Sequence, residues 1–422
     1  KAKGTLRPAQ GKQLRKTKSE TDDQLSATPS PLPFALYPHF VVYALKGNMI
    51  KKKDNSDELK TARDKEYMRR ALSLARRGIG RVSPNPAVGS VIVRGSQVIG
   101  EGYHREYGGA HAEIAALESA SGPVRGAEIY VTLEPCTHFG KTPPCVNRII
   151  RAGPARVIIG TEDPNPLVSG KGIRALRGKG IETSVGVLEK ECRELNEFFF
   201  KYIRTGIPYV TLKFAQSLDG RIAARGGDSR WISSPESRKI AHAERRRHDA
   251  VMVGSGTVMR DDPELTVRLV RGKSPLRIVL DSSLQISPAA KVLQMQDAKT
   301  IIVTADRAGG GKKSRLERMG IEVISVDPDL EGRPDLRKVL VRLGERNISS
   351  VLVEGGAELL TSFLKTDLPD RIVAFIAPKI IGQGIETFGD LGIAKIEDSI
   401  PLKFRKITKS GGDVLVEGIF VK

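Results

Sequence analysis

The stretch from Asn85 to Cys145 constrains this chain more than any other, because it contains His111-Ala112-Glu113, Pro135-Cys136 and Cys145. The whole chain has only three cysteines and six histidines in 422 residues. One imidazole (His111) and two thiols (Cys136, Cys145) make a three-ligand protein set for Zn²⁺. A fourth position left to water is the mark of a catalytic rather than a structural site. Zinc lowers the pKa of such a water from about 15.7 to about 7. Glu113, two residues from a ligand, is placed to carry protons between that water and a leaving group. The plain alternative is a common His-x-Glu triplet beside two spectator cysteines. The arrival of so few cysteines and histidines in this order argues against it.

His-x-Glu followed by Pro-Cys-x-x-Cys is the signature of zinc nucleobase deaminases. Here the segment Thr137 to Pro144 replaces the two-residue spacer before the second thiol. Three cysteines cannot form a disulfide framework, and with two assigned to metal a reducing compartment is expected. Cys192 is then an idle or buried thiol.

Length sets a prior of two or three domains at about 150 residues each. No apolar run reaches the roughly 18 residues of a membrane helix. A net charge of +20 invites a nucleic-acid partner, but the charge is scattered along the chain. Aromatic content of 5% also leaves few stacking platforms for single strands. A phosphorylated substrate or a dinucleotide would favour the same positive field.

Residues 1–62 read as a disordered basic extension, rich in Lys, Ser, Thr and Pro. Two readings stay open for it: a transit peptide, or an over-extended frame whose start is Met49. Glu20, Asp22 and Asp23 favour the second. From Asp64 the apolar spacing predicts a helix, ended by Gly78 and Gly80. A rigid turn at Ser83-Pro84-Asn85-Pro86 follows, then a hairpin (Val88–Val93, Gln97–Gly102) and a helix opened by His111. Beyond that come a strand to Leu133, a helix from Val146, and strand, helix, strand to Val187. A helix over Glu189–Tyr202 closes the unit. This is α/β, a three-layer sandwich over 63–205. Residues 206–422 alternate strands with helices again, which means a mostly parallel sheet. The closing strands are placed at Arg371–Ile376 and Asp413–Val421. Glycine loops follow strands at Gly254-Ser255-Gly256 and Gly355-Gly356. They are phosphate cradles or bare turns, and neither is a dinucleotide fingerprint. Arg245-Arg246-Arg247 is a phosphate clamp or, taken alone, a solvated helix face.

Ser83 to Gly89, His111 to Glu113 and Thr132 to Cys145 closely resemble the bifunctional riboflavin biosynthesis deaminase–reductase family. So do Lys213 to Gly220, Trp231 to Pro235, Val253 to Thr257, Asp261 to Pro263 and Val353 to Gly356. The resemblance covers about 65 to 422. It implies a cytidine-deaminase-like domain followed by a dihydrofolate-reductase-like domain. The implied reactions are zinc-dependent deamination of 2,5-diamino-6-ribosylamino-4(3H)-pyrimidinone 5′-phosphate, then NADPH-dependent reduction of the product's ribosyl group to ribityl. By that resemblance His111, Cys136 and Cys145 hold zinc and Glu113 is catalytic. Asn85, His104, His138 and Lys141 line the first substrate pocket. Ala215, Trp231, Thr257, Asp261, Ser282, Gly355 and Gly356 face NADPH. Lys213, Ser229, Arg245, Leu265, Arg268 and Glu354 face the second substrate. Gln383 stands where another glycine is expected. The expected partners are small phosphorylated pyrimidines and further copies of the chain, with no nucleic acid and no membrane. The expected location is the cytoplasm, or a plastid if the extension is a transit peptide. Zinc chemistry on a base in RNA, and a non-catalytic scaffold, are the competing readings.

Overall fold

The computed structural model describes residues 55–422, apart from 141–142, 295, 306–309 and 422. Most of the basic extension, Met49 and Lys141 therefore lie outside the described residues. The first helix spans Asn55–Ala75, so residues 55–62 are helical rather than part of a disordered extension. Its first two turns are mostly polar in sequence, and a reading based on apolar spacing sees only the packed part beyond them.

The first sheet contains β1 (Gly89–Arg94), β2 (Gln97–Tyr103), β3 (Glu128–Val131), β4 (Arg156–Ile159) and β5 (Glu182–Val185). Their order is β2-β1-β3-β4-β5. The hairpin and the β1–β3 pair are antiparallel, while β3, β4 and β5 run parallel. Helices cover both faces, as three layers require. Met68, Ala71 and Leu72 of the first helix pack on Val91, Val93, Tyr130 and Ile158. Ala112, Ala116, Ile149, Ile173, Leu176 and Phe200 pack on Ile92, Ile129, Val157 and Ile159 opposite. Cys192 is buried among the first set, and burial pushes its thiol up to about 12.

The helix expected over Glu189–Tyr202 is two, Glu189–Leu195 and Glu197–Thr205. They break at Asn196, whose buried amide accepts from the Ala87 N–H at 2.7 Å and donates to the Ala87 carbonyl at 2.9 Å. A side chain that pairs with a distant backbone in this way competes with helix continuation.

The second sheet takes β6 (Tyr209–Ser217), β8 (Ala250–Gly254), β9 (Leu276–Leu280), β10 (Thr300–Ala305), β11 (Glu322–Val326), β12 (Ser350–Val353), β13 (Arg371–Ala377), β15 (Leu402–Ser410) and β16 (Asp413–Phe420). The small strands β7 (Arg221–Ala224) and β14 (Gly384–Glu386) pair apart from it. The order is β11-β10-β9-β8-β12-β6-β13-β16-β15. It is parallel from β11 to β13, and β16 and β15 are antiparallel additions. β15 has no counterpart in the sequence reading. Its lysines and mostly exposed residues mark a guarded edge rather than a buried run.

After β8 the chain builds outward through β9, β10 and β11, then returns to insert β12 between β8 and β6. A crevice opens at the carboxyl ends of strands where the order reverses in this way. Both glycine loops end there.

A polar seam joins the two halves. Glu197, on a helix of the first half, accepts from Arg247 at 2.9 Å and from Arg405 at 2.7 Å. Lys201 pairs with Asp370, and the Tyr202 phenol donates to the Gly344 carbonyl at 2.9 Å. No helix among the described residues is long and apolar enough to cross a membrane.

Candidate active sites

Three elements bring the first cluster together. His111 stands at the N-cap of the helix Ala112–Glu118, Cys145 opens the helix Cys145–Ala152, and Cys136 sits in the loop after β3. His111 Nδ1 lies 3.2 Å from Cys145 Sγ and 3.6 Å from Cys136 Sγ. All three donor atoms fall within 4.8 Å of one another. Tetrahedral zinc with bonds of about 2.0–2.3 Å places its ligand atoms roughly 3.3–3.8 Å apart. The donor set therefore fits zinc in chemistry and in spacing.

The electrostatics agree. The Cys136 thiol is drawn down to about 4, first by the bond from Cys145 and then by His111 and the Cys145 N–H. The same bond and burial push Cys145 up. A metal held by both sulfurs requires both as thiolates and displaces any proton they keep. Glu113 is buried beside them. Burial, then the negative charge of Cys136, raises its carboxyl to about 7.

The cluster opens into a cavity of about 570 Å³ lined by Asn85, His104, Glu113 and His138 among others. Asn85 Nδ2 and His104 Nε2 are 3.2 Å apart, and His104 Nδ1 is 3.0 Å from the Ala110 carbonyl. The amide donating to Nε2 and Nδ1–H donating to the carbonyl make a neutral imidazole, and burial lowers the pKa of His104 accordingly. His138 Nδ1 is buried with no partner among the described residues.

Four residues here were not singled out from sequence. Glu134, inside the Leu133-Glu134-Pro135-Cys136 run, accepts from the backbone N–H of Asp163, Gly170, Gly172 and Ile173 at 2.9–3.2 Å. It ties the loop carrying Cys136 to the loop after β4. Asp163, raised to about 7 by burial, lines the cavity. So do Tyr202 and Asn347. Only the proximity of Glu134 to the cysteine motif could have marked any of them; Asp163 and Asn347 come from distant loops and Tyr202 from the helix Glu197–Thr205.

A second cavity, about 950 Å³, sits in the crevice at the strand ends. That is at the upper end of the range of about 300–1,000 Å³ for ligand sites. Lys213, Ala215, Ser229, Trp231, Arg245, Thr257, Asp261, Arg268, Ser282, Glu354, Gly355 and Gly356 all line it. Leu265 does not. Its side chain is buried in a hydrophobic cluster with Val251, Val258 and Val279.

Glu354 is the hub of this site. Arg245 reaches it through Nε at 2.6 Å and Nη2 at 3.0 Å, with Lys213 Nζ at 3.5 Å. Burial alone would raise the carboxyl, but Arg245 and Lys213 outweigh it and hold the group at about 2. Arg245 also donates from Nη1 to the Thr266 carbonyl at 3.0 Å. Arg245 is therefore neither a solvated helix face nor an open clamp; its guanidinium is engaged inside the protein. Arg246-Arg247 diverge from it, with Arg247 turned to Glu197. His242 is a further lining residue that the sequence did not signal. Its Nδ1 accepts from the Arg268 N–H at 3.1 Å, which fixes the Nε2–H tautomer. Burial, then Arg245 and Arg268, lowers its pKa to about 4.

The similarities of the chain divide along the same line. Residues 61–161 match the cytidine and deoxycytidylate deaminase zinc-binding region, and 208–416 match the RibD C-terminal domain. Riboflavin biosynthesis protein RibD of Aquifex aeolicus is 50% identical over 84% of this chain and 97% of its own length. The Escherichia coli protein of that name is 39% identical over 83% and 98%. A solved diaminohydroxyphosphoribosylaminopyrimidine deaminase/5-amino-6-(5-phosphoribosylamino)uracil reductase from Thermotoga maritima superposes with a TM-score of 0.77. It is 39% identical and covers 86% of this chain and 100% of its own. With a zinc-type deaminase domain followed by a RibD reductase domain, the chain belongs to the RibD family of bifunctional riboflavin biosynthesis enzymes.

Proposed function

We propose that residues 63–205 deaminate 2,5-diamino-6-ribosylamino-4(3H)-pyrimidinone 5′-phosphate by hydrolysis. Residues 206–422 would then reduce the product, 5-amino-6-(5-phosphoribosylamino)uracil, with NADPH. The observation that carries the first step is the His111–Cys136–Cys145 donor set with buried Glu113 beside it at one cavity. Zinc held there supplies Lewis acidity that makes water a nucleophile near neutral pH. Glu113 takes the water's proton and returns it to the departing amine, a shuttle suited to a carboxyl near pH 7. Asn85, His104 and His138 orient the substrate.

For the second step, the support is a crevice at the switch point of a parallel sheet with the Gly355-Gly356 turn at its wall. Ala215, Trp231, Thr257, Asp261 and Ser282 are assigned to NADPH. Ser229, Arg268 and Glu354 are assigned to the sugar phosphate, with Lys213 stabilising charge as hydride reaches the sugar carbon. Self-association of the chain is part of the proposal, tested by its mass in solution.

The test is a two-signal assay on zinc-loaded protein given the diaminopyrimidinone ribosyl phosphate. Ammonia should appear without NADPH, and NADPH absorbance should fall once it is added. No ammonia would refute the first assignment, and untouched NADPH the second. A zinc chelator should separate the two signals, abolishing ammonia release while NADPH oxidation on the deaminated substrate persists. Loss of both would mean that the metal serves the whole fold.

His242 offers a finer check. Asn preserves an acceptor at the Nδ1 position, whereas Gln preserves a donor near Nε2. If Nε2–H holds the substrate, His242→Asn should raise the reductase KM about tenfold and His242→Gln should restore most of it. The reverse ranking would reduce His242 to a support for the Arg268 backbone.

A further inference from the structure

The deaminase cavity is not made by the deaminase half alone. Ser83 opens the turn that carries Asn85, and its hydroxyl donates to Asp249 Oδ2 at 2.7 Å. Asp249 lies just before β8, in the reductase half. The same oxygen accepts from the Ser349 N–H at 2.8 Å and from the Ser349 hydroxyl at 2.7 Å. The Ser83 and Ser349 hydroxyls, 3.0 Å apart, converge on one carboxylate oxygen. The turn is thus gripped on both sides: Asn196 holds Ala87 from within the first half, and Asp249 holds Ser83 from the second.

Two residues before Ser349, Asn347 lines the rim of the same cavity. Its backbone has φ +61°, in the left-handed region that Asn tolerates better than most residues. Its Oδ1 is 3.5 Å from the Tyr202 phenol, which itself lines the cavity and donates to the Gly344 carbonyl. The zinc-type cluster fixes where the reacting base must lie. The remainder of a ribosylated substrate then extends away from it, toward a rim that carries this amide.

We propose that the reductase half completes the deaminase substrate site. Asn347 supplies a neutral amide to the sugar-phosphate end of the substrate, and Asp249 with Ser349 fixes the Ser83–Pro86 turn so that Asn85 meets the substrate in register. Asn347 is a binding residue in this scheme; Ser83 and Asp249 are positioning residues. The proposal rests on the deaminase reading above and adds to it a dependence of the first reaction on residues of the second domain.

The test uses the full-length, zinc-loaded chain with two substitutions. Asn347→Gly removes the amide while keeping a backbone that glycine adopts without strain. Ser83→Ala removes one hydroxyl and leaves the Asp249–Ser349 bonds intact. Each should raise the deaminase KM about three- to tenfold, the loss expected for one hydrogen bond. Deaminase kcat and the reductase constants should stay at wild-type values. Ser83→Ala should also speed amide hydrogen exchange at Asn85, Ala87 and Val88, a readout independent of turnover, and Ser83→Thr should restore protection. Wild-type KM in both variants, or unchanged exchange in Ser83→Ala, overturns the proposal. A wild-type chain that releases no ammonia strikes instead at the deaminase reading, and the exchange result still decides whether the second half holds the turn.

Discussion

Glu113→Gln is expected to lower ammonia release by about 10²–10⁴-fold, the range for losing a positioned proton shuttle, while zinc content stays near that of the wild type. The substitution is nearly isosteric. Gln fills the same buried place at the start of the helix Ala112–Glu118 and leaves His111, Cys136 and Cys145 untouched. It cannot accept a proton from water or return one to a leaving amine. A carboxyl lifted to about 7 by burial and by the neighbouring thiolate is suited to do both near neutral pH, although a divalent cation among those sulfurs pulls the other way. NADPH oxidation on already deaminated substrate should be unchanged. Metal analysis beside an ammonia assay decides the matter: normal turnover would remove Glu113 from the chemistry, and lost zinc would make it a support for the ligands.

Glu354→Gln should be nearly as damaging to the second reaction and more damaging to the fold. It leaves Lys213 and Arg245 facing one another without the carboxylate that both now contact. Removing one partner of a buried ion pair costs about 3–5 kcal/mol. In a domain of this size that lowers the melting temperature by roughly 6–20 °C. Reductase turnover should fall about a hundredfold, with ammonia release little affected. The acid limb of stability offers an independent sign. The folded Glu354 carboxyl sits at about 2, below its ordinary 4.5. Its contribution, at most about 3 kcal/mol, is therefore fully present above pH 4.5 and is lost as pH falls toward 2. The Gln variant lacks that component, so its stability should decline less steeply through the same window. Identical acid limbs in the two proteins would contradict the ion-pair account.

Much of the first site was legible because its chemistry is local in sequence. His111 and Glu113 share one helix start, and Cys136 and Cys145 flank one loop, so spacing alone specifies the donor set. The alternation of strands and helices likewise exposed both sheets. What stayed hidden has a common cause: it depends on partners far apart in the chain. The break at Asn196 needs Ala87, the burial of Arg245 needs Glu354, and the turn at Ser83 needs Asp249. The edge strand β15 was missed because its charged, half-solvated residues carry little apolar pattern. Leu265 shows the converse. Resemblance set it facing the second substrate, and its side chain is buried in a hydrophobic cluster with Val251, Val258 and Val279, outside the residues that line the cavity.

The seam around Glu197 bears on how such a chain could be inherited. If the gene were divided near codon 206, Glu197 would lose Arg247 and Arg405 in a single event, Lys201 would lose Asp370, and the Ser83 hydroxyl would lose its carboxylate. Each half would begin its separate history with stranded charges and a slackened pocket. Fission is therefore uphill until compensating substitutions accumulate, whereas duplication of the intact gene carries no such penalty. The polar contacts between the halves weigh against separating them, whether or not an intermediate ever passes directly from one site to the other.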